Sequence, residues 1–359
     1  MQKNALKNII YSIVLLLLVF LVYLYRKDQP ITSDNPDSDV FKMVVSGQTM
    51  GTSYRIVYLD PSGRDFKQQI DSLLEVFNQS LSTYIPDSEI SRFNKGDSLV
   101  YESKFFFPIL AKSKEVYTNT DGAFDPTVGP LVNVWGFGPG GASLEDSVSI
   151  PDLLRQVGLE KVEFDSVQVR KNTPGIYLDF SAIAKGYGVD VVGRFLESKE
   201  IEHFLVEIGG ELMAKGSNEN GELWRVGISK PDEEGAANEL FGIIALNAKG
   251  LATSGNYRNF YIVDGKKYSH TISPFTGYPV VHGLLGATVV ADDCMTADAY
   301  ATAMMVMGTE KSIALQKEVE GLEIFLIFSD ENGMIKSYVS EGLKPYLSYA
   351  EQNKPSLDQ

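Results

Sequence analysis

The sequence predicts an α+β fold with mixed, mainly antiparallel sheets and packed helices. Three windows, residues 66–81, 105–119 and 294–307, have apolar residues at helical spacing. After Ile201, short apolar runs follow one another between Gly, Asp and Pro residues, and helices do not alternate with them. Because strands joined by short turns pair antiparallel, this order favours α+β over a doubly wound parallel sheet.

The composition is that of a globular protein with an acidic balance. The chain has 359 residues, of which 44% are hydrophobic, so it can bury a large core. Asp and Glu number 47 against 32 Lys and Arg, which argues against a nucleic-acid-binding surface and predicts long-range repulsion of phosphorylated ligands. A phosphate site would therefore need local cations or a metal. Cys294 is the single cysteine, which excludes intrachain disulfides and cysteine-based zinc sites, and its setting predicts a buried core thiol.

The N-terminal residues differ from the rest of the chain. Residues 9–25 are apolar or weakly polar, are flanked by Lys and Arg on both sides, and have the minimum length for a membrane-spanning helix. A signal peptide is the alternative, but no small-residue cleavage site follows. We therefore expect a transmembrane anchor, or uncleaved signal, over residues 1–27 and a polar linker over 28–40. The basic residues favour, weakly, an orientation in which the bulk of the chain is exported.

A globular domain is expected over residues 41–349, followed by a loose polar tail over 350–359. Alternating and apolar runs predict most of its strands. These strands are expected at 41–46, 53–59, 203–207, 212–215, 224–229, 240–247, 259–263, 268–272, 285–291, 322–329 and 334–339, with a hairpin at 161–170 and further helices at 151–157 and 310–318.

Glycine and proline mark the irregular parts of the domain. Gly47 and Gly51 are expected at the turn of the first hairpin. Residues 81–94 contain Pro86 and many polar side chains and are predicted as a loop. Residues 122–141 are too rich in Gly and Pro for a long regular element, and their backbone is suited to close approach.

A buried strand over residues 175–179 is predicted to end on Asp179 and to pass directly into a helix. Ser181 suits the N-cap of that helix, and apolar residues recur from Ala182 onward at helical spacing. A helix N-terminus exposes unpaired N–H groups, and Lys185 adds a formal positive charge, so an anionic ligand could bind here. An ordinary strand-to-helix turn with a solvated lysine is the alternative, and this stretch alone leaves both open.

Asp298 and Thr302 are four residues apart in the predicted helix at 294–307. They lie on one face, about 40° apart around the axis, and alanines make the helix slim. A carboxylate and a hydroxyl displayed together can both reach one hard cation. A hydrogen bond within a solvated face is the alternative, but the neighbouring residues are too apolar for that face to be fully hydrated.

Two aromatic or titratable side chains lie in settings that suit a ligand site. Among His203, His270 and His282, only His270 ends a predicted strand just before a sharp turn, although backbone groups often satisfy such a histidine. Tyr84 lies in the predicted loop at 81–94, where it could stack on a flat ligand or simply pack the loop down.

Eight segments over residues 41–346 together resemble the ApbE family, flavin transferases that move FMN from FAD onto proteins. Each segment alone is weakly specific, whereas the ordered set is strongly specific. In chain order they are MGTSY, LSTYIPDSEISRFN, GAFDPTVGPLVNVWGFG, LDFSAIAKGYGVD, GGE, LATSGNYRNF, YSHTISPFTGYPV and MTADAYATA. The resemblance implies the mainly antiparallel α+β fold of that family.

The resemblance also implies site residues by position. A Mg²⁺ ion would bind the Ala182 carbonyl, the Asp298 carboxylate and the Thr302 hydroxyl, which are oxygen ligands suited to a hard cation. The remaining matched positions would bind FAD as the substrate. These are Met50, Tyr84, Ala123, Phe124, Asp125, Asp179, Lys185 and Ile272.

The reaction that the resemblance implies is attack by a Ser or Thr hydroxyl of an acceptor protein on the FMN-side phosphorus of FAD, with AMP leaving. His270 is the candidate base for the hydroxyl proton, and Asp298 is the second choice because a metal-bound acid is a weaker base. With the anchor, this places the enzyme in the bacterial inner membrane, with its catalytic domain on the periplasmic side and an exported or membrane redox protein as acceptor.

Three other functions are compatible with parts of this pattern. A Mg²⁺-dependent FAD pyrophosphatase would use water in place of the protein hydroxyl and release FMN and AMP. A non-catalytic, membrane-tethered flavin-binding protein would not need a metal on the diphosphate, so Asp298 and Thr302 argue against it. A purely structural exported domain does not account for the glycine-rich motifs.

Overall fold

The computed structural model describes residues 40–138, 149–230, 240–256, 260–263, 266–269 and 271–349. The predicted anchor at 1–27, the tail at 350–359 and the candidate base His270 lie outside these residues. Among the helices that the structure does describe, none is both long enough and apolar enough to cross a membrane.

Strands and helices alternate irregularly along the described chain. The strands are β1 Phe41–Thr49, β2 Thr52–Asp60, β3 Ser98–Val100, β4 Val162–Phe164, β5 Gln168–Lys171, β6 Phe204–Ile208, β7 Glu211–Lys215, β8 Trp224–Ser229, β9 Leu240–Leu246, β10 Lys249–Gly255, β11 Phe260–Val263, β12 Lys266–Ser269, β13 Leu284–Ala291, β14 Glu323–Ser329, β15 Ile335–Val339 and β16 Leu347–Tyr349. The α-helices are α1 Lys67–Leu81, α2 Glu89–Lys95, α3 Phe106–Asn119, α4 Gly129–Val134, α5 Ile150–Leu154, α6 Ala184–Ser198, α7 Cys294–Met307 and α8 Thr309–Glu318.

The main sheet has eight strands in the order β1-β2-β6-β7-β10-β13-β14-β15. Smaller sheets have the orders β16-β9-β8, β3-β5-β4 and β11-β12. All strand pairs within the described residues are antiparallel. The predicted α+β fold with mainly antiparallel sheets is therefore confirmed.

The main sheet lies between a helical layer and the small sheet that contains β8 and β9. Strand β14 shows this arrangement through its two-residue periodicity. Ile324 and Leu326 belong to the core formed with α7, whereas Phe325 and Ile327 pack in a separate cluster with residues of β9, such as Phe241. Both faces of β14 are thus buried, which accounts for its continuous apolar sequence.

Helix α7 lies unusually close to its neighbours. Its alanines are fully buried, and Cys294 at its start is a buried free thiol, as predicted. Two glycines permit the approach: a Cβ at Gly186 of α6 would lie 2.3 Å from the Cys294 carbonyl oxygen, and one at Gly250 of β10 would lie 2.3 Å from the Cys294 nitrogen. The first turn of α7 is therefore wedged between α6 and β10.

The first hairpin turns later than predicted. Met50 and Gly51 form the turn, both at positive φ (50° and 72°), while Gly47 lies within β1 opposite Tyr54. Two consecutive left-handed residues match the twist of the flanking strands in a two-residue turn. Gly47 is needed for packing instead, because a Cβ there would lie 2.6 Å from the Tyr54 ring.

The loop prediction for residues 81–94 is wrong in its second half, where α2 begins at Glu89. Ser88 is the N-cap, and its hydroxyl oxygen accepts a hydrogen bond from the Ser91 N–H. Pro86 precedes the cap and does not interrupt the helix. The local signal was therefore a Ser cap followed by Glu89, which is favourable in a first turn.

The predicted strand at 175–179 and the N-cap at Ser181 are also wrong. Gly175 lies in a turn at a positive φ of 85°, residues 176–180 have no strand pairing, and α6 begins at Ala184. The Asn94 side chain replaces a neighbouring strand, because its amide donates to the Leu178 carbonyl and its oxygen accepts from the Leu178 N–H. Ser181 instead donates its N–H to the Asp179 carboxylate. This bond stabilises a turn at residues 181–183 ahead of the helix.

Candidate functional site

A cavity of about 610 Å³ opens between the start of α6, helix α7, strands β8 and β10, and the segment before α4. This volume is within the range typical of small-molecule sites. Most residues predicted for the site line it, although they come from distant parts of the chain. The lining includes Ala123, Phe124, Asp125, Ala182, Lys185, Glu211, Ser254, Ile272, Asp298 and Thr302.

The turn before α6 leaves one backbone carbonyl without its helical partner. In a regular helix the Gly186 N–H would donate to the Ala182 carbonyl, four residues back. Here the Gly186 N–H donates to Asp298 Oδ2 at 2.9 Å. Within the described part of the chain, no backbone N–H donates to the Ala182 oxygen. A carbonyl oxygen at the cavity wall is thus available to a ligand.

Asp298 is buried and does not lie on a solvated helix face. It is only 3% exposed, and burial raises the pKa of its carboxyl, against the opposing effect of the positive charge on Lys185. The hydroxyl of Thr302, one turn later, has Ser254 Oγ at 3.4 Å. The alternative of a solvated helix face is therefore wrong for this pair.

The oxygen atoms at this wall suit a hard cation. Ala182 offers a carbonyl, Asp298 a carboxylate and Thr302 a hydroxyl, and all three residues line one cavity. In the described ranges, no three His, Cys, Asp or Glu side chains come together as a metal cluster. A cation here would thus depend on mixed oxygen ligands, which is the set typical of Mg²⁺ with its waters and phosphate oxygens.

Lys185 shares its charge between two buried carboxylates. Its Nζ lies 2.6 Å from Glu211 Oε1. Burial, and then the negative charge of Asp298, raise the pKa of Glu211 to about 7. Burial lowers the pKa of Lys185, but the negative charges of Asp298 and Glu211 have a larger, opposite effect. The pKa of Lys185 is therefore raised, and its ammonium stays charged. This part of the cavity therefore has more acid than base.

Asp125 lies in the wall formed by the segment before α4. Its Oδ1 accepts hydrogen bonds from the N–H and the hydroxyl of Thr127, at 2.8 and 2.6 Å. Burial raises its pKa to about 6, although these bonds favour the charged form. Its neighbours Ala123 and Phe124 are buried, and Ile272 approaches from the other side in an isolated bridge with Pro279.

Three predicted FAD-binding residues do not line this cavity. Met50 lies at the β1–β2 turn, and its methyl packs over Gly188 of α6. Tyr84 is 66% exposed, and partial burial of its phenol together with the charge of Asp179 raises its pKa. Asp179 is buried and caps the turn that contains Ala182. These three surround the turn before α6, and their predicted contacts with FAD stay predictions.

Some residues that shape the site were not singled out from the sequence. Glu211 follows two glycines with positive φ and was noted only as part of the GGE motif. Gly186 and Ser254 act through contacts with Asp298 and Thr302 that sequence spacing does not show. The sequence signal for Glu211 was an acid directly after two glycines. That pattern does not indicate whether the acid is buried.

Comparison with known proteins agrees with this geometry. The sequence profile of the ApbE family matches residues 50–326. The FAD:protein FMN transferase of Vibrio cholerae is 40% identical over 314 residues, which cover 85% of this chain and 92% of that protein.

Two solved structures are also similar. The flavin transferase ApbE from Vibrio cholerae superposes with a TM-score of 0.77 at 38% identity, covering 86% of this chain and 99% of that one. The apo form of the Pseudomonas stutzeri flavinyl transferase ApbE has a TM-score of 0.76 at 30% identity, covering 86% and 97%. By sequence profile, by identity to its relatives and by fold, this chain belongs to the ApbE family.

Proposed function

We propose that this enzyme transfers FMN from FAD to a Ser or Thr hydroxyl of an acceptor protein, with Mg²⁺ as cofactor and AMP as the second product. The FAD:protein FMN transferases to which it is similar support flavin transfer. The observation on which the metal-dependent proposal rests is the bond from the Gly186 N–H to Asp298, because it leaves the Ala182 carbonyl for a cation.

The cavity residues have separate roles in this proposal. Ala182, Asp298 and Thr302 would hold the cation, and Lys185 would add positive charge beside the diphosphate. When bound, Mg²⁺ offsets the diphosphate charge and polarises the phosphorus under attack. Without such cations, the acidic cavity and the net charge of −15 would repel a dianion.

In the transfer step one bond forms at phosphorus, one bond breaks and one proton moves. The acceptor hydroxyl oxygen forms a bond to the FMN-side phosphorus, and the bond from that phosphorus to the bridging oxygen breaks. AMP leaves with the bridging oxygen, and the hydroxyl proton passes to a base, for which the sequence offers His270. Asp298 is the poorer base, because Oδ2 already accepts the Gly186 N–H and the carboxylate is assigned to the cation.

The test is to incubate the full-length chain with FAD, Mg²⁺ and a peptide that contains an Asp-x-x-Thr-Gly-Ala-like segment. We expect covalent flavin fluorescence on the peptide and one AMP per label, and neither product with a Thr→Val peptide. AMP and free FMN without labelling would identify a pyrophosphatase. Absence of AMP in every reaction would contradict both enzymatic functions.

The metal site is tested in the same assay. A chelator or the Asp298→Asn substitution should reduce AMP release by at least about 100-fold, because one charged ligand and the cation that it holds are lost. Asn can still accept the Gly186 N–H, so the fold should be retained. Unchanged AMP release in metal-free buffer would refute the metal site.

The role of His270 is tested by the His270→Gln variant. If the imidazole accepts the hydroxyl proton, transfer should fall by about 100-fold or more while FAD binding is retained. Near-normal transfer across the pH range would exclude His270 as the base.

We also propose that the chain is anchored in the inner membrane of a bacterium by its N-terminal segment, with the catalytic domain on the periplasmic side. The apolar run at 9–25 supports this proposal. The full-length chain should sediment with membranes and be digested by protease added to spheroplasts, whereas a chain that starts at Val40 should remain in the supernatant. Recovery of both chains in the supernatant would refute the anchor.

A further inference from the structure

The ion pair between Lys185 and Glu211 is unlike the surface pairs of this protein. Its N–O distance is 2.6 Å, the same as for Lys215 and Glu197, but the Glu211 side chain is 5% exposed and that of Glu197 is 36% exposed. Glu211 Oε2 is buried and, within the part of the chain described, has no hydrogen-bond partner. A buried carboxylate with an unsatisfied oxygen is costly, so this arrangement calls for a functional explanation.

The local fold directs Glu211 to Lys185. Gly209 and Gly210, with φ of 62° and 103°, turn the chain from β6 into β7 and place Glu211 at the start of β7. A Cβ at Gly209 would lie 3.4 Å from Lys185 Cδ, so the lysine side chain passes directly over this turn. Lys185, Gly209, Gly210 and Glu211 all line the cavity.

The charges around Lys185 do not balance. Asp298 and Glu211 are both buried, and Lys185 is the cation that interacts with each of them. Two carboxylates share one ammonium, and Lys185 is the one lysine among the described residues that line the cavity. An added diphosphate would therefore meet an ammonium that is already engaged. A divalent cation beside Asp298 reverses the sign of the local charge and weakens the hold of the carboxylates on Lys185.

We propose that Glu211 makes binding of the FAD diphosphate conditional on the divalent cation, by engaging Lys185 until that cation is present. This inference rests on the proposed function, because it assigns Glu211 a positioning role toward the same substrate. Glu211 acts through Lys185 and is not assigned a contact with the reacting atoms. An enzyme built in this way does not hold FAD in the absence of the metal that it needs for transfer.

The experiment measures FAD binding to the full-length chain by flavin fluorescence, in chelator and at increasing Mg²⁺, with chromatography to verify that FAD stays intact. The wild-type chain should bind FAD at least about 30-fold more tightly with saturating Mg²⁺ than in chelator. Glu211→Gln keeps an acceptor for Lys185 and removes the charge. It should bind FAD in chelator about tenfold more tightly than the wild type, because one nearby like charge is gone.

Two further variants distinguish this role from a structural one. Glu197→Gln removes a carboxylate from an exposed Lys–Glu pair of equal N–O distance and should leave both affinities unchanged. Lys185→Gln should weaken FAD binding mainly with saturating Mg²⁺ and so reduce the ratio between the two conditions, because Lys185 is released to the diphosphate only when the cation is present. This variant gives a second measurement if Glu211→Gln does not fold, and an unchanged ratio would contradict the inference.

The outcomes separate the inference from the proposed function. If Glu211→Gln weakens FAD binding equally with and without Mg²⁺, Glu211 is only structural and the inference is overturned. A wild-type chain that binds FAD with Mg²⁺, together with an unchanged ratio in Glu211→Gln, overturns the inference alone. A wild-type chain that binds no FAD even with Mg²⁺ overturns the proposed function and this inference together.

Discussion

Among single residues, Ala182 shows how a side chain with no chemistry of its own can lie at the centre of a site. Its carbonyl is available because the Gly186 N–H donates to Asp298 and not to the preceding turn. That bond needs α6 and α7 in near contact, and Gly186 permits this by lacking a Cβ. The cation site therefore depends on a glycine that contributes no ligand.

Substitution of Gly186 by Ala should damage both the fold and the site. The new Cβ would lie 2.3 Å from the Cys294 carbonyl oxygen and 2.7 Å from Asp298 Cβ, so the two helices must separate. Overpacking of this kind costs about 1–3 kcal/mol of unfolding free energy, and more where backbone is the obstacle. We expect a loss in that range by urea denaturation, and Mg²⁺-dependent FAD binding weakened by at least about tenfold.

Gly193→Ala is the matched control on the same helix. Its Cβ would lie 3.2 Å from Met213 Sδ, the end of a flexible side chain that can move. Alanine also favours a helix interior by about 1 kcal/mol over glycine, so stability should be retained or increased. If Gly186→Ala behaved like this control in both assays, contact between α6 and α7 would not be needed for the site.

Between elements, α6 and α7 are also joined by Asp190. Its carboxylate accepts hydrogen bonds from the N–H groups of Cys294 and Met295, at 2.8 and 2.9 Å, and so satisfies two free donors of the first turn of α7. Asp293 caps the same helix locally through the Thr296 N–H. Burial, and then the charge of Asp293, raise the pKa of Asp190 to about 7.

This raised pKa predicts a pH dependence of stability. The pKa of Asp190 is about 7 in the folded state and about 4 in the unfolded state. The folded state therefore binds the proton more tightly. As the pH rises from about 4 to about 7, ionisation of Asp190 lowers the free energy of unfolding. Asp190→Asn lacks this cost and keeps one acceptor. Relative to Asp190→Asn, the wild type should lose up to about 4 kcal/mol of unfolding free energy across that window.

The measurement is urea denaturation of both chains at a series of pH values. The free energy of unfolding of Asp190→Asn is subtracted from that of the wild type at each pH, which cancels the contribution of the other carboxyls. Among these, Asp125 and Glu211 also lower stability as the pH rises, because their pKa values are raised, whereas the lowered pKa of Asp60 has the opposite effect. A difference that is flat across the window, or that grows in favour of the wild type, would show that Asp190 is ionised in the folded protein at low pH.

Elements with local signals were predictable, and those held by distant partners were not. Helix α7 begins and ends at the predicted residues, because a run rich in Ala and Met and bounded by Asp293 and Gly308 marks it locally. Residues 175–179 have a strand-like composition, but the N–H and carbonyl of Leu178 pair with the Asn94 side chain and not with a strand, which spacing cannot reveal. The three-residue strands β3 and β16 are too short for any periodicity to show.

For the whole molecule, most residues that the sequence predicted for the site do line the cavity, but the charge balance of the cavity was not predicted. The ordered motifs placed Asp125, Lys185, Asp298 and Thr302 in one site, and the structure brings these residues to one cavity. The burial of Glu211 arises only when the turn before β7 packs against the start of α6. A sequence pattern records that an acid is present, whereas its burial and partner depend on the assembled fold.

The net charge of −15 acts on FAD at distances where single residues do not. An anionic diphosphate approaching an acidic protein is repelled over a Debye length, which is about 30 Å at 0.01 M salt and about 8 Å at 0.15 M. The attraction from Lys185 and the bound cation acts within the cavity, at shorter range, and is therefore screened less. Salt should remove the repulsion before it removes the attraction.

We therefore expect kcat/KM for FAD to rise by about two- to fivefold between 0.01 and 0.15 M KCl, with free Mg²⁺ held constant. Most binding sites for phosphorylated ligands on basic proteins show the opposite trend, because salt screens a net attraction. Inhibition by riboflavin, which lacks the diphosphate, should not change over the same range and serves as the control. A fall in kcat/KM with salt would contradict this prediction. It would mean that FAD is attracted at long range by the local cations, and that the acidic surface lies away from the path by which FAD enters the cavity.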